Sequence, residues 1–428
     1  MTNLILTSRS RLLARYGEVG LHGIAAQAET LRQHWQQQQP TNPALFLYLD
    51  DAASLLPYKL RPANASQPPA IRKLLGEIEV AVGQIDHLLL LGGPQVIPWW
   101  HLESPVLDVD AEVLSDNPYG CRAEGDYLVP ERRVGRMPDA EGVSGADASP
   151  LLAALQVAIK ARPPLPATAK SLPQAVAVGP RGCGFLSLRR NEEQPASSQP
   201  SPATYPSRPV AAATTDPSFA YSTAVWEPVS RLIYRTVQGG GDGSFLVSPP
   251  TNASSFSPTL LQGARFIYFN LHGVIDRPQW FGQSRELAFA SPDNYPDALH
   301  PEQLAAIGDS IRATAPFVFS EACYGAYIDG KRTAEAICLQ LLSLGVSCFV
   351  GSTVTSYGRS DPPLSEADLL TDLFFRHLYA GESSGQALAS AKNEYAAQML
   401  GRFRALDDDD RKTLLEFVLY GDPLLKAF

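Results

Sequence analysis

Residues 315–327 read APFVFSEACYGAY, and both the fold and the chemistry of the chain can be worked outward from them. The centre of the stretch, Pro316–Ala322, is apolar except for Ser320 and Glu321. Its length and aromatic content predict a strand buried on both faces of a parallel sheet. The strand runs straight into Cys323, Tyr324 and Gly325. Open α/β sheets gather ligands and chemistry at the carboxyl ends of their strands. A matching stretch, ARFIYFNL at 264–271, is followed at once by His272 and Gly273. Two strand ends therefore deliver one imidazole and one thiol, 51 residues apart in sequence.

The rest of the chain alternates strand and helix patterns. In the first part, Asn3–Leu6, Ala44–Leu49 and His87–Leu91 read as strands, with helices over Gly20–Gln37, Ala70–Ile85 and Leu151–Ala161. Pro163, Pro164 and Pro166 close this unit as a stiff linker. Residues 174–184 read as a short strand and glycine turn, and Arg189–Thr215, rich in Ser, Pro, Ala and Gln, as a long mobile loop. Ser218–Tyr234 reads as a helix around Trp226, and Gly239–Gly241 as a loop, because no GK[ST] follows it. Beyond Cys323, helices are expected over Thr333–Leu344, Ser365–Ala380 and Gly385–Leu400, with a strand at Ser347–Gly351. Asp407–Asp410 reads as the acidic start of a last helix over Arg411–Leu419, since carboxylates favour a helix N-terminus; a calcium site there is the weaker alternative. This alternation predicts a mostly parallel sheet sandwiched by helices, in two units covering 1–165 and 166–428.

Composition narrows the function. The 428 residues carry 35 basic and 44 acidic side chains, a formal net charge of −9. Such a balance argues against a nucleic-acid binder, whose footprint is basic. No apolar run reaches the ~18 residues of a membrane span. The start, MTNLILTSRSRLLARYG, lacks the apolar core of a signal peptide, so a cytoplasmic location is expected. The five cysteines are scattered without metal-ligand spacing, and neither a structural metal, a cofactor nor a disulfide framework is expected.

A thiol attacks best as thiolate, and an imidazole beside it can take its proton and pass it to a leaving amine. The N–H groups of Gly273 and Cys323 could stabilise the oxyanion, and a side chain at 273 would crowd the scissile carbonyl. Taken singly, Cys323 reads as one more core cysteine and His272 as an ordinary strand-end histidine. Taken together, each with a glycine close behind, they read as a dyad. Cys338 and Cys348 fall in helix and strand patterns, and Cys121 and Cys183 in loops without a nearby histidine.

In these residues the chain resembles the caspase–haemoglobinase superfamily of cysteine peptidases, and within it the gingipain-type branch and its CHAT-domain relatives. NLHG at 270–273 looks like the family's His-Gly strand end, and EACYGA at 321–326 like its nucleophile motif. GSTVTSYG at 351–358 resembles the strand end lining the substrate groove, and LYGDPLL at 419–425 the closing signature. LLLLGGPQVIP at 88–98, DNPYG at 116–120 and VPERRVGRMP at 129–138 resemble its non-catalytic caspase-like subdomain.

The resemblance implies two side-by-side caspase-like subdomains and a cysteine endopeptidase with His272 and Cys323 as catalytic dyad. Protein or peptide would be the substrate, paired as an added strand along Ser352–Tyr357, so that Thr355, Ser356 and Tyr357 line the groove and Tyr357 walls the pocket for the residue before the scissile bond. Asp276, four residues after His272, and Asp216, before the Trp226 helix, suggest a carboxylate for Arg or Lys there. Regulation by a protein partner or by cutting the 189–215 segment at Arg189, Arg190 or Arg208 is expected of such a peptidase. The competing readings are an idle caspase-like scaffold that only binds, and an acyltransferase or amidase acting on small substrates.

Overall fold

In the computed structural model of the chain, residues 1–139, 142, 146–162, 217–287 and 295–428 are described. Ten strands form one sheet: β1 (Thr2–Thr7), β2 (Ala44–Tyr48), β3 (Ile85–Leu91), β4 (Arg133–Met137), β5 (Ser218–Thr223), β6 (Gly243–Ser248), β7 (Phe266–Asn270), β8 (Phe317–Ser320), β9 (Cys348–Ser352) and β10 (Phe417–Gly421). Their order across the sheet is β2-β1-β3-β4-β10-β9-β8-β7-β5-β6. Every neighbouring pair is parallel except β9 with β10. The sheet is thus mostly parallel, as expected, and the two halves of the chain meet where β4 pairs with β10 through Arg136 and Tyr420. The expected unit boundary at 165–166, the 174–184 strand, Cys183 and the 189–215 loop lie outside the described residues.

Helices cover both faces: α1 (Arg9–Gln38), α2 (Pro68–Val82), α3 (Ser149–Lys160), α4 (Glu227–Gln238), α5 (Ile337–Leu344), α6 (Glu366–Tyr379), α7 (Ser384–Phe403) and α8 (Asp408–Glu416). The strands are apolar on both sides because both are roofed by helices. Phe266, Tyr268, Phe317 and Phe319 pack into the core under α4, α6 and α7, while Ile267, Phe269, Val318 and Phe349 pack into the core that includes α5. A separate core lies around β1, β3, α1 and α2. Among the described residues, no helix is long and apolar enough to cross a membrane and no group of three acidic, His or Cys side chains could hold a metal.

Several elements differ from the sequence expectation: β4 and β6 are strands where none is expected, and α1 starts at Arg9 rather than Gly20. Ser218–Thr223 is a strand, paired with β6 and β7, and the helix starts only at Glu227. The alternation of small and aromatic residues in SFAYST suits a pleated, buried strand better than the helix pattern continuing from Trp226. Phe417–Gly421 is the antiparallel strand β10 rather than the end of the last helix. The acidic run starts α8 as expected: Asp407 caps it by accepting the Asp410 N–H at 2.8 Å.

The motifs of the first half converge on one buried cation. Arg136, fully buried, donates to both carboxylate oxygens of Asp116 at 2.9 and 2.6 Å and to the carbonyls of Gly92 and Ile97 at 3.2 and 2.7 Å. The Trp99 ring lies 4.3 Å from its guanidinium carbon. A guanidinium this deep needs every N–H matched, and GGPQVIP, DNPYG and RVGRMP supply the partners. At the closing signature, Asp422 accepts from Trp35 Nε1 at 3.1 Å and contacts Arg162 at 2.6 Å, tying the carboxyl end of the chain to α1 and to the end of α3.

Candidate active site

β7 and β8 are parallel neighbours, and Phe269 is in register with Ser320. Counting three residues on from that pair along each strand reaches His272 and Cys323. The two residues therefore follow the carboxyl ends of neighbouring strands in matching register. His272 is fixed by paired backbone bonds with Phe281, 2.9 Å in each direction. Its ring lies 4.3 Å from that of Trp226 and stacks on Tyr295 at 4.6 Å. His272 Nε2 bonds Gln283 Oε1 at 2.8 Å. An amide oxygen only accepts, so Nε2 carries the proton and Nδ1 is left as the basic nitrogen. Burial outweighs this hydrogen bond and lowers the imidazole to about 4, so the ring is neutral near pH 7.

Cys323 sits on a tight turn. Gly325 donates its N–H to Ala322 at 2.9 Å, and Tyr324 adopts a left-handed conformation (φ 55°), unusual for a non-glycine residue and typical of over-determined functional turns. Cys323 is partly exposed, whereas Cys121, Cys338 and Cys348 are buried. Its Sγ faces Ser356, 3.3 Å from the N–H and 3.5 Å from the carbonyl oxygen. Burial pushes the thiol up to about 11, against the lowering effect of the Ser356 N–H. The thiol and the imidazole do not hydrogen-bond each other; each is held by another partner.

Gly273 lies against the nucleophile's backbone: a Cβ there would come within 2.0 Å of the Cys323 carbonyl oxygen. Among the described residues, neither the Gly273 nor the Cys323 N–H has a hydrogen-bond partner. Both N–H groups are thus open.

The groove residues are close by. Thr355 donates its N–H to Asp110 at 2.8 Å, Ser356 faces the thiol, and the Tyr357 hydroxyl donates to Asp108 at 2.6 Å. On another side of Cys323 a cleft of about 300 Å³ is lined by Val274, Ile275, Arg277, Tyr327, Lys331 and Ile337. Asp276 is exposed in the turn between Ile275 and Arg277 and does not line that cleft. Asp216 lies outside the described residues. Beneath the nucleophile, Glu321 and Asp368 form a buried carboxyl pair. Burial, with the neighbouring Asp368, pushes Glu321 well above the usual carboxylate range, and burial raises Asp368 to about 7. Gln283, Asp108, Asp110 and Lys412 carry no local motif; they join the site only through long-range contacts, so the sequence offered no signal for them.

A strand-end histidine and a strand-end cysteine on this sheet define the class, a caspase-like α/β protein of the gingipain type. The chain belongs to peptidase family C25, whose family model matches residues 210–428, and it is a cysteine peptidase. Among solved structures it is similar to gingipain R (RgpB), described as an Arg-specific cysteine proteinase, at 11% identity over 99% of this chain and 78% of that one, with a TM-score of 0.57. It is similarly like the complex of Porphyromonas gingivalis RgpB pro- and mature domains, at 13% identity over 99% and 79%, TM-score 0.57. At these identities the likeness carries the fold. No curated protein matches the sequence.

Proposed function

We propose that the chain is an endopeptidase that hydrolyses peptide bonds through His272 and Cys323. The observation that supports this is that His272 and Cys323 follow directly on neighbouring parallel strands in matching register, each with a backbone N–H without a partner beside it at Gly273 and Cys323 among the described residues. In the acylation step, Nδ1 of His272 accepts the thiol proton as Sγ attacks the carbonyl carbon. Both groups are neutral at rest, so proton transfer accompanies attack rather than preceding it. The oxyanion is held by the Gly273 and Cys323 N–H groups. The imidazolium then gives its proton to the departing amine as the C–N bond breaks, leaving a thioester on Cys323. A water molecule, deprotonated by the same nitrogen, attacks the thioester, releasing the carboxylic acid and restoring the thiol. An idle scaffold would need neither a glycine pressed against the Cys323 carbonyl nor two unpaired N–H groups.

The substrate strand lies along 352–357. The Val354 carbonyl accepts the Tyr324 N–H at 2.8 Å, so pairing with substrate centres on Ser356, whose N–H and C=O face the thiol. Cleavage follows Arg or Lys, in keeping with the Arg-specific gingipain R. Activation by cutting within 189–215, or by a protein partner, fits a resting state in which the thiol is held by the Ser356 backbone that substrate would pair with. The gingipain complex of pro- and mature domains is a parallel for control by a protein segment. The test is a panel of fluorogenic peptides differing only in the residue before the bond, run on wild type and Cys323→Ala. Turnover confined to basic residues and abolished in the variant supports the reading. A preference for Asp or a large apolar residue overturns the specificity, and turnover persisting in Cys323→Ala overturns the nucleophile.

A further inference from the structure

Just past β9, successive residues of 353–356 turn their backbone groups to opposite sides. On one edge the Val354 carbonyl meets Tyr324 and the Ser356 N–H meets Cys323 Sγ. On the other, the Thr353 N–H donates to the Glu416 carbonyl at 3.1 Å and the Thr355 N–H to Asp110 Oδ2 at 2.8 Å. Asp110, 214 residues before Tyr324, also accepts the Tyr324 hydroxyl at 2.6 Å, and that hydroxyl accepts from Thr355 Oγ1 at 3.1 Å. Asp108 accepts the Tyr357 hydroxyl at 2.6 Å. Lys412, from α8, has its side chain only 1% exposed; it donates to Asp110 Oδ2 at 3.0 Å and to Asp108 Oδ2, and its ammonium sits 5.2 Å from the centre of the Tyr357 ring. Burial alone would raise both carboxyls, but these hydrogen bonds outweigh it and hold them ionised. An ammonium shared by two carboxylates is an expensive group to bury, and here each member of the trio contacts the groove segment or its tyrosines.

We infer that Asp108, Asp110 and Lys412 are positioning residues for the substrate main chain: they clamp the outer edge of 353–357 so that the Ser356 N–H and C=O are presented at a fixed height beside the thiol. The clamp acts on where Ser356 stands for the substrate main chain, and so on how a peptide longer than one residue is laid along the segment, and not on the bond being broken. The inference rests on the peptidase reading for its choice of ligand, so its test measures binding apart from turnover. In a Cys323→Ala background, the dissociation constants of a four-residue peptide amide ending in Arg and of a single-residue Arg amide are measured for the parent and for Asp110→Ala, Asp110→Asn and Lys412→Met. Losing a hydrogen bond to a charged group costs about tenfold to a hundredfold in affinity. Asp110→Ala is expected to weaken the long peptide by about that factor and the single-residue amide by less than about threefold. Asp110→Asn, which keeps an acceptor for the Thr355 N–H, falls between Asp110→Ala and the parent. Equal losses on both ligands, or no loss on the long one, overturn the clamp even where Lys412→Met fails to fold, because the Asp110 pair decides it. Wild-type enzyme that cleaves neither peptide while the long one still binds in the length-dependent way counts against the peptidase reading and leaves the clamp standing.

Discussion

Gln283 shows how one side chain sets the proton chemistry of the site. Its amide oxygen holds His272 Nε2–H and so selects the tautomer whose Nδ1 is basic. Gln283→Leu should lower kcat/KM by about tenfold to a hundredfold, the loss of an oriented base. Gln283→Glu should instead stabilise the imidazolium and raise its pKa from about 4 toward neutrality. A group protonated at low pH is then lost as a base earlier, so the acidic limb of the pH–rate profile should move up by about one unit or more; an unmoved limb would show that His272 is not the titrating base. Gly273 is a second single-residue test. Any side chain there meets the Cys323 carbonyl oxygen at 2.0 Å, so Gly273→Ala should abolish most turnover and lower the melting temperature as the backbone gives way, and a fully active Gly273→Ala enzyme would remove the N–H pair from the mechanism. His272, Cys323 and Gly273 were legible from two apolar runs each ending in a reactive residue and a glycine. Gln283 was not, because it reaches the imidazole from the segment after the Trp280–Phe281 strand, which carries no local signal of that role.

Among elements, β8 and α6 meet in the Glu321–Asp368 carboxyl pair below the nucleophile. Both carboxyls are raised, chiefly by burial. Groups whose folded pKa lies above the unfolded value stabilise the native state below the unfolded pKa and lose that stabilisation as pH rises through the folded one. Stability should therefore fall from about pH 4 toward pH 7, the value reached by Asp368. Glu321→Gln, which cannot ionise, should flatten this fall in a pH series of thermal melts; a slope equal to that of wild type would mean the pair does not share its protons as described. His272 acts in the opposite sense, since its depressed pKa withdraws stability as pH falls below its unfolded value of 6.5. At this scale Thr2–Thr7, Ala44–Tyr48, Ile85–Leu91, Phe266–Asn270, Phe317–Ser320 and Cys348–Ser352 were readable because each is a short apolar run. Arg133–Met137, interrupted by charges and a glycine, and Gly243–Ser248, next to a glycine run, were not readable as strands. Ser218–Thr223 and Phe417–Gly421 were not, since each directly adjoins a helical pattern and its strand character comes from pairing with distant segments.

Across the whole molecule, the two halves of the chain are tied by buried polar contacts, two of which reach the 352–357 segment. Arg136 gathers the Asp116, Gly92 and Ile97 motifs, Asp422 ties the carboxyl end to Trp35 and Arg162, and Asp108 and Asp110 reach the groove segment. Asp422→Ala removes one partner of a buried ion pair and should cost about 3–5 kcal/mol of stability, read as a drop in the denaturant midpoint; a change below about 0.5 kcal/mol, the usual size of a surface substitution, would show that the contact is incidental. The motifs holding these contacts were recognisable in the sequence as a pattern, but the partners lie from 20 residues away, at Arg136 and Asp116, to 387, at Trp35 and Asp422, and emerge only in the fold. The central claim is that His272 activates Cys323 for attack on a peptide carbonyl, and it is tested most directly by trapping. Full-length protein is treated with a peptidyl acyloxymethyl ketone carrying Arg next to the warhead, and the adduct is followed by intact mass and mapped by peptide sequencing. One adduct, on Cys323, formed quickly in wild type and slowed by orders of magnitude in His272→Ala with an unchanged melting temperature, is the predicted result. Equal rates in both proteins, or an adduct on any other cysteine, would contradict the dyad.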